Sequence, residues 1–113
     1  MSTNAIYRVE EVGPITFVRF QCYRVSDQPL TQLYELARLD VVPRVVLDLQ
    51  EVGLLTSNAM GVFVSLQRRI SAQGGKLALC GLDENLRALF KITMLERIFN
   101  LCDSEQQAVQ AVS

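Results

Sequence analysis

Three consecutive polar residues, Thr56, Ser57 and Asn58, stand between a short apolar run and a longer pattern with helical spacing. Each carries a side-chain oxygen that can accept a hydrogen bond from a free backbone N–H in the first turn of a helix. A helix N-terminus also has a partial positive charge, which favours an anion. The stretch therefore predicts either a simple helix cap or a hydroxyl that accepts a phosphoryl group, which would add about 1.5 to 2 negative charges at pH 7.

The element before these residues is the run from Val45 to Leu49, which is apolar except for Asp48 and begins just after Pro43. A short β-branched run of this kind predicts a strand that is buried on both faces. Asp48 is expected at the end of that strand, where its carboxylate hydrogen-bonds the adjacent loop, because buried acids are normally paired.

The helix after the polar residues is expected to run from about Ala59 to Gln73 and to end at Gly74-Gly75, which suits a C-cap. Residues that recur at helical spacing predict the face turned to the core: Ala59, Val62, Phe63, Leu66 and Ile70. Met60 and Val64 lie beside that stripe. With Leu54 or Leu55 they are expected to form an exposed apolar patch that binds a partner, since such patches often mark interfaces.

The N-terminal part of the chain predicts a β-hairpin, because two strand-like runs meet at Gly13-Pro14. Ser26 or Asp27 is expected to cap a helix that has Pro29 in its first turn. That helix should end near Asp40.

The C-terminal part alternates further strands and helices. A strand is expected at Lys76–Gly81, a helix capped by Asp83, and a last strand at Ile98–Cys102. Ser104 and Gln107 predict a capping box, with Gln107 reaching back to Ser104, before a final helix. The whole order, β-β-α-β-α-β-α-β-α, predicts an α/β (α+β) fold with a mixed sheet of four to five strands and about four helices.

Length and composition predict one domain over residues 1–113, with 50% hydrophobic and 20% charged residues. The formal net charge is −1 and no basic stripe is present, which argues against nucleic acid as a partner. No apolar run approaches the length of a membrane span, and the N-terminus lacks a signal-peptide core. We therefore expect a cytoplasmic protein without membrane insertion.

Catalytic and metal-binding patterns are missing from the sequence. There is no His, and the three cysteines, Cys22, Cys80 and Cys102, are far apart and lack a C-x-x-C pair. No nucleophile elbow, paired-carboxylate motif or phosphate-binding loop occurs. We expect no enzyme activity, no nucleotide hydrolysis, no catalytic residue and no metal or cofactor; Cys80 and Cys102 are expected to be small buried apolar residues.

The segment Asp48–Val52, with the pattern Asp-Leu-x-x-Val, and the following segment Leu54–Val62 resemble the signature of STAS domains, the anti-sigma-factor antagonist family. The order of elements is also similar to that of a STAS domain. In this family Asp-Ser-Ser-Gly precedes an apolar helix, and a partner kinase phosphorylates the second Ser. Matched in order, Thr56 takes the Asp position, Ser57 the first Ser, and Asn58 the phosphorylated Ser. Ala59 takes the Gly position.

The resemblance implies a bacterial regulator of transcription that binds an anti-sigma factor of the serine-kinase type and controls sigma-factor availability. Asn cannot accept a phosphoryl group, so a phosphorylation switch requires Ser57 or Thr56 as the acceptor in its place. Without such a substitute, Asn58 imitates the unphosphorylated state. The alternative is a phosphorylation-independent scaffold or regulatory subunit, as in stressosome-like assemblies or beside lipid-transporter ATPases. A homodimer or a larger assembly is left open.

Overall fold

The computed structural model describes residues 6–26, 30–37 and 42–113. Its main feature is a mixed sheet of five strands. The strands of the described residues, in chain order, are β1 (Tyr7–Val12), β2 (Ile15–Phe20), β3 (Arg24–Val25), β4 (Arg44–Asp48), β5 (Leu54–Leu55), β6 (Lys76–Cys80) and β7 (Asn100–Cys102). The main sheet has the order β1-β2-β4-β6-β7, with β1 antiparallel to β2 and the other neighbours parallel, while β3 and β5 pair separately.

Three α-helices lie in the described residues: α1 (Ser57–Ala72), α2 (Glu84–Ile92) and α3 (Glu105–Val112). Two 3-10 helices accompany them, Leu30–Leu36 and Leu95–Arg97. The fold class is the predicted one, and the five-stranded sheet agrees with the expected four to five strands.

The first of the four predicted helices is a 3-10 helix, not an α-helix. Its leucines stand three residues apart, at 30, 33 and 36, and side chains at this spacing align on one side of a 3-10 helix. Leu30 and Leu33 are fully buried there. The expected cap at Asp27, Pro29 and the expected end at Asp40 lie outside the described residues, so the choice between Ser26 and Asp27 stays a prediction.

The central strand β4 is buried on both faces, as predicted. Val45 and Leu47 point into the larger core, which α1 and α2 cover, while Val46 points into a smaller core under α3. The stripe of five residues assigned to the buried face of α1 is also correct, because all five are buried. The sheet is therefore a middle layer, and the carboxyl end of β4 leads directly to the loop before α1.

The hairpin between β1 and β2 has a two-residue loop, since Val12 pairs with Ile15. Gly13 has φ 59°, and Pro14 fixes a negative φ at the next position. A glycine with positive φ at the first loop position is the pattern of a type II′ turn, whose twist matches that of paired strands.

The C-terminus of α1 forms a Schellman motif at the predicted glycines. Gly75 N donates to Ile70 O at 2.9 Å, and Gly74 N donates to Ser71 O at 3.0 Å. Gly74 has φ 74°, which glycine adopts without strain. The helix therefore stops at the position that the sequence predicted.

Two details near the C-terminus differ from the prediction. The last strand begins at Asn100 and not at Ile98, because Met94 adopts a left-handed conformation (φ 62°) and a 3-10 turn follows it. Ser104 Oγ accepts from Gln107 N at 3.1 Å as expected, but Gln107 Oε1 accepts from Asp103 N, 2.9 Å away, instead of from the amide of Ser104. The predicted cap of α2 is correct, since Asp83 Oδ1 accepts from Leu86 N at 2.8 Å.

The cysteines differ in burial. Cys80 is buried as predicted, and burial raises its thiol pKa to about 12. Cys102 is only half-buried, because the edge strand β7 is not fully covered, and burial raises its pKa as well. Both side chains are therefore protonated thiols at neutral pH, not reactive thiolates.

Candidate functional site

Thr56 is the N-cap of α1. Its Oγ1 accepts a hydrogen bond from Ala59 N at 3.1 Å, and its carbonyl accepts from Met60 N at 3.0 Å. Thr56 itself is extended, with φ −74° and ψ 160°. The helix therefore begins at Ser57, two residues before the predicted start, because the first of the three polar residues provides the cap and the other two are already helical.

Ser57 and Asn58 occupy the first two positions of α1, and both side chains are exposed, whereas Thr56 is half-buried. Within the described residues neither of the two exposed side chains has a hydrogen-bond partner. The first turn of α1 contains no acidic residue. The positive end of the helix is thus not neutralised by its own sequence, and it is accessible to an anion or to a partner.

The loop that leads into α1 is held by a small parallel sheet of β3 and β5. Val25 pairs with Leu55, and Val25 O accepts from Thr56 N at 3.0 Å. Tyr23 O accepts from Leu54 N, also at 3.0 Å. These bonds fix the backbone on both sides of β5, so the start of α1 has a defined position relative to the end of β2.

Tyr23 is a residue of this region that sequence reasoning missed. Its side chain is exposed, and its ring lies on Gly53, since a Cβ at Gly53 would stand 2.1 Å from Tyr23 Cε1. Strands of two residues are too short to show any periodicity, so no pattern in the sequence indicated that this tyrosine lies against Gly53, just before the polar residues.

The four predicted partner-binding residues divide into two pairs. Leu54 is 46% exposed and Val64 is half-buried, but Leu55 and Met60 are only 4% and 7% exposed. The prediction of an exposed patch is therefore wrong for Leu55 and Met60. Side chains alternate along β5, so only one of its two leucines can face outward. Met60 is three residues before Phe63, so the two side chains lie on neighbouring positions of the same helix face. Met60 therefore packs into the larger core, at the edge of the buried stripe of α1.

Asp48 behaves as predicted for an acid at the end of a strand. Its Oδ1 accepts from Gln50 N at 3.0 Å, and its Oδ2 accepts from Arg19 Nη1 at 2.9 Å. Arg19 also contacts Glu10 and Glu105. Hydrogen bonds to these two carboxylates raise the pKa of Arg19, and the bond to Glu105 has the largest effect. We call these four residues the Arg19 network. Sequence reasoning did not find Arg19, because its partners are far apart in the chain.

In the part of the chain that the structure describes, no group of three or more His, Cys, Asp or Glu side chains is arranged to hold a metal ion. Among the same residues, no helix combines the length and the apolar character needed to cross a membrane. The candidate site is the polar start of α1, where Ser57 and Asn58 are exposed and no acidic residue stands in the first turn, together with Leu54 and Tyr23.

The model of the STAS domain family matches residues 3–108. The chain belongs to the STAS domain family. The predicted match to the STAS signature gives Thr56 the Asp position; in this structure Thr56 is the N-cap, a role in which Thr and Asp are both favourable. Asn58, which the same match aligns with the phosphorylated Ser, is the second residue of the helix.

A curated relative of this STAS domain is the anti-sigma-B factor antagonist of Bacillus subtilis (strain 168), with 37% identity over 62 residues. The alignment covers 55% of this chain and 57% of that protein, so the chain matches little more than half of the relative's length. A putative anti-sigma factor antagonist of Thermotoga neapolitana is 30% identical over 69 residues, which are 61% of each chain.

Solved structures show the same fold. A STAS domain protein from Planctomyces limnophilus has a TM-score of 0.85 at 20% identity, covering 98% of this chain and 100% of that chain. The phosphorylated form of the Bacillus cell fate determinant SpoIIAA has a TM-score of 0.66 at 14% identity, covering 92% of this chain and 96% of that chain. At these identities the likeness concerns the fold alone.

Proposed function

We propose that this STAS domain is an anti-sigma-factor antagonist that binds an anti-sigma factor of the serine-kinase type, and that Asn58 holds it in the binding-competent form. The observation that carries the proposal is the place of Asn58, exposed in the first turn of α1 at the position matched to the phosphorylated Ser. The names of the curated relatives support the antagonist role.

The amide of Asn58 has no charge and cannot accept a phosphoryl group. A phosphoserine at this position would place about 1.5 to 2 negative charges on the surface that a partner contacts, and it would oppose docking by charge and bulk. Asn58 presents a neutral polar side chain of modest size, which resembles the unmodified state. Regulation then comes from expression or assembly and not from phosphorylation.

Two neighbouring hydroxyls are the possible substitutes, and the local geometry disfavours both. Thr56 Oγ1 is engaged in the cap, so its phosphorylation would cost α1 that hydrogen bond. Ser57 is exposed, but a shift of one residue rotates a side chain by about 100° around a helix. Phosphoryl transfer needs in-line placement of the accepting hydroxyl, so such a rotation usually prevents it.

The proposed contact surface consists of the exposed start of α1 together with Leu54 and Val64. Leu55 and Met60 support this surface from the core side, where their burial fixes β5 and the first turn of the helix. The proposal assigns no catalytic step to the chain and places it in the cytoplasm, with sigma-factor availability as its output. It also predicts that the purified chain does not hydrolyse ATP or GTP.

The test is to incubate the chain with the purified anti-sigma kinase of its own cell and ATP, and to measure the intact mass. The unmodified chain should bind the kinase and show no phosphoryl adduct, whereas Asn58→Ser should gain one. Asn58→Asp should bind at least tenfold more weakly, because it adds a charge, while Asn58→Gln is the neutral control.

Two outcomes would contradict the proposal. An adduct mapped to Ser57, and lost in Ser57→Ala, would restore a phosphorylation switch. The second outcome is that no kinase complex forms and that a transporter ATPase or an assembly of STAS proteins is recovered with the chain from the native cell. This result would favour the second candidate, a phosphorylation-independent scaffold. Asn58 is compatible with that candidate too, because a scaffold needs no acceptor.

A further inference from the structure

The outward face of α2 and the turn after it carry an unusual concentration of exposed apolar side chains. Of the seven large hydrophobic residues that are exposed in the described part of the chain, three lie within seven positions: Ile92, Met94 and Ile98. Ile92 is the most exposed of all, at 79%. The described residues of this chain leave these three side chains exposed, and apolar residues that are exposed close together often mark an interface.

The backbone at Met94 adds to this observation. Met94 has φ 62°, the one positive φ found for a non-glycine residue in the described chain, and its side chain is exposed. A left-handed conformation is unfavourable for a residue that has a Cβ, and such conformations cluster at binding and switch regions. In this structure the conformation holds an apolar side chain in solvent.

Two unpaired charges lie on one side of α2, while Arg87 between them is paired with Asp103 at 2.6 Å. Glu84 is in the first turn and Lys91 in the last turn, both are exposed, and neither has an ion-pair partner in the described residues. Seven residues correspond to almost two full turns, so both lie on one side of the helix, about 10 Å apart along its axis. Ala88 lies between them and is also exposed.

We propose that this face binds a second copy of the chain, with the two α2 helices antiparallel across a two-fold axis near Ala88. In that arrangement Glu84 of each copy lies opposite Lys91 of the other, so both unpaired charges gain a partner. The small side chain of Ala88 lets the helices approach closely where they cross. Ile92 and Met94 become covered by the first turn of the other helix and by the segment before it.

A second copy fits this face because the pattern is self-complementary. A closed two-fold interface uses the same surface on both subunits. For charges to pair across it, this surface must therefore carry a positive and a negative residue on opposite sides of the two-fold axis, at similar distances from it. Glu84 and Lys91 are nearly equidistant from Ala88 and meet that requirement. The face is small, since α2 has nine residues, so we expect a weak dimer with a Kd in the micromolar range.

The proposal is tested by sedimentation velocity of the purified chain between roughly 5 and 500 µM, a range that brackets a micromolar Kd. The sedimentation coefficient should rise with concentration from monomer to dimer. Glu84→Lys and Lys91→Glu should each weaken the dimer about tenfold, because each places like charges opposite one another. The double variant should restore dimerisation, although both changes oppose the dipole of α2.

Ile92→Glu should abolish the dimer without unfolding the chain, because the side chain is already exposed. Val12→Glu is the matched control, since Val12 is an exposed β-branched residue on the edge strand β1, and it should dimerise normally. Circular dichroism melting checks that each variant is folded. A monomer at every concentration would overturn the proposal, as would a dimer that Ile92→Glu leaves intact or a double variant that does not recover.

Discussion

At the scale of single residues, the first turn of α1 separates two tasks that neighbouring side chains perform. Thr56 satisfies a backbone amide and starts the helix, while Ser57 and Asn58 stay exposed, as the proposed contact with a partner requires. The sequence predicted that one of the three would cap, but all three residue types are good caps, so it could not decide which. Which residue becomes the cap depends on where the backbone leaves the β3–β5 pairing. That pairing joins two distant parts of the chain, so local sequence does not reveal it.

The cap gives the first prediction at this scale. Thr56→Ala removes the acceptor for Ala59 N and should lower the free energy of unfolding by about 1 kcal/mol, the usual effect of losing a cap. Thr56→Ser keeps a hydroxyl in place and is the control. Urea unfolding of the three proteins measures the difference. Equal midpoints for the Ala and Ser variants would show that this hydrogen bond does not stabilise the helix.

A second prediction compares two apolar residues of the proposed contact surface. Leu54→Asp should leave stability nearly unchanged, because Leu54 is exposed, and should weaken kinase binding at least tenfold. Met60→Asp places a carboxylate in the core and should lower the free energy of unfolding by about 3 kcal/mol or more. Thermal melts and titration with the kinase separate the two effects. Normal kinase binding by a folded Leu54→Asp variant would show that Leu54 is not part of the proposed contact surface.

At the scale of elements, the regular parts of the chain could be predicted and the irregular parts could not. β4, α1 and α2 have clear periodicity, caps or a glycine stop, and their predicted places were nearly correct. The 3-10 helix at Leu30–Leu36 was mistaken for an α-helix, since leucines spaced by three fit both patterns. The pairing of β3 with β5 was invisible, because strands of two residues have no period to detect.

Gly61 of α1 supplies a prediction at this scale. It lies inside the helix and is exposed, its φ is not positive, and a Cβ there would meet no atom within 4 Å. Gly61→Ala should therefore raise the free energy of unfolding by about 0.5 to 1 kcal/mol. Gly61 is three residues from Asn58, so a partner that approaches closely should bind the Ala variant more weakly. Urea unfolding and kinase titration test the two parts.

Gly81→Ala is the matched contrast. Gly81 has φ 77°, and a Cβ there would be 2.8 Å from Gln50 N, so this substitution should destabilise the fold.

A stability gain in Gly61→Ala with unchanged kinase affinity would mean that Gly61 is not needed for the close approach of a partner. A loss of stability in Gly61→Ala would contradict the reading of an unobstructed helix surface.

At the scale of the whole molecule, the Arg19 network connects four elements of the fold. Arg19 on β2 contacts Glu10 on β1, Asp48 at the end of β4, and Glu105 at the start of α3. Its guanidinium also lies 4.9 Å from the centre of the Phe17 ring. The pattern of residues predicted the order of the elements, but residue types alone cannot reveal that Arg19 pairs with Glu105, 86 positions away.

The network predicts a pH dependence of stability. Hydrogen bonds from Arg8 and Arg19 lower the pKa of Glu10 below its ordinary value of 4.5. A carboxyl whose pKa is lower in the folded state stabilises the fold above the unfolded pKa and loses that effect as the pH falls through the folded pKa. Arg19→Met should therefore lower the free energy of unfolding at pH 7, and by less as the pH falls below the ordinary glutamate pKa.

Urea unfolding of the wild type and Arg19→Met at pH 7 and at pH 3 measures this difference, because these two pH values lie on either side of the ordinary glutamate pKa. Arg8→Met is the comparison variant: it removes the larger of the two hydrogen bonds that lower the Glu10 pKa, so its effect should also shrink as the pH falls, while the contacts to Asp48 and Glu105 are lost only in Arg19→Met. A difference between the wild type and Arg19→Met that stays constant with pH would show that Arg19 acts through packing on Phe17 and not through its charge.

The hydrogen bond between Thr56 and Ala59 has a consequence for the chemical lifetime of the protein. Asparagine deamidates when the backbone nitrogen of the next residue attacks the side-chain carbonyl, forming a cyclic imide that hydrolyses to aspartate or isoaspartate. The nitrogen next to Asn58 belongs to Ala59, and it donates to Thr56 Oγ1 at 3.1 Å within a helical backbone. It is therefore held away from that carbonyl. We therefore expect the capping threonine to slow the deamidation of Asn58, a reaction that would place a negative charge at the start of α1.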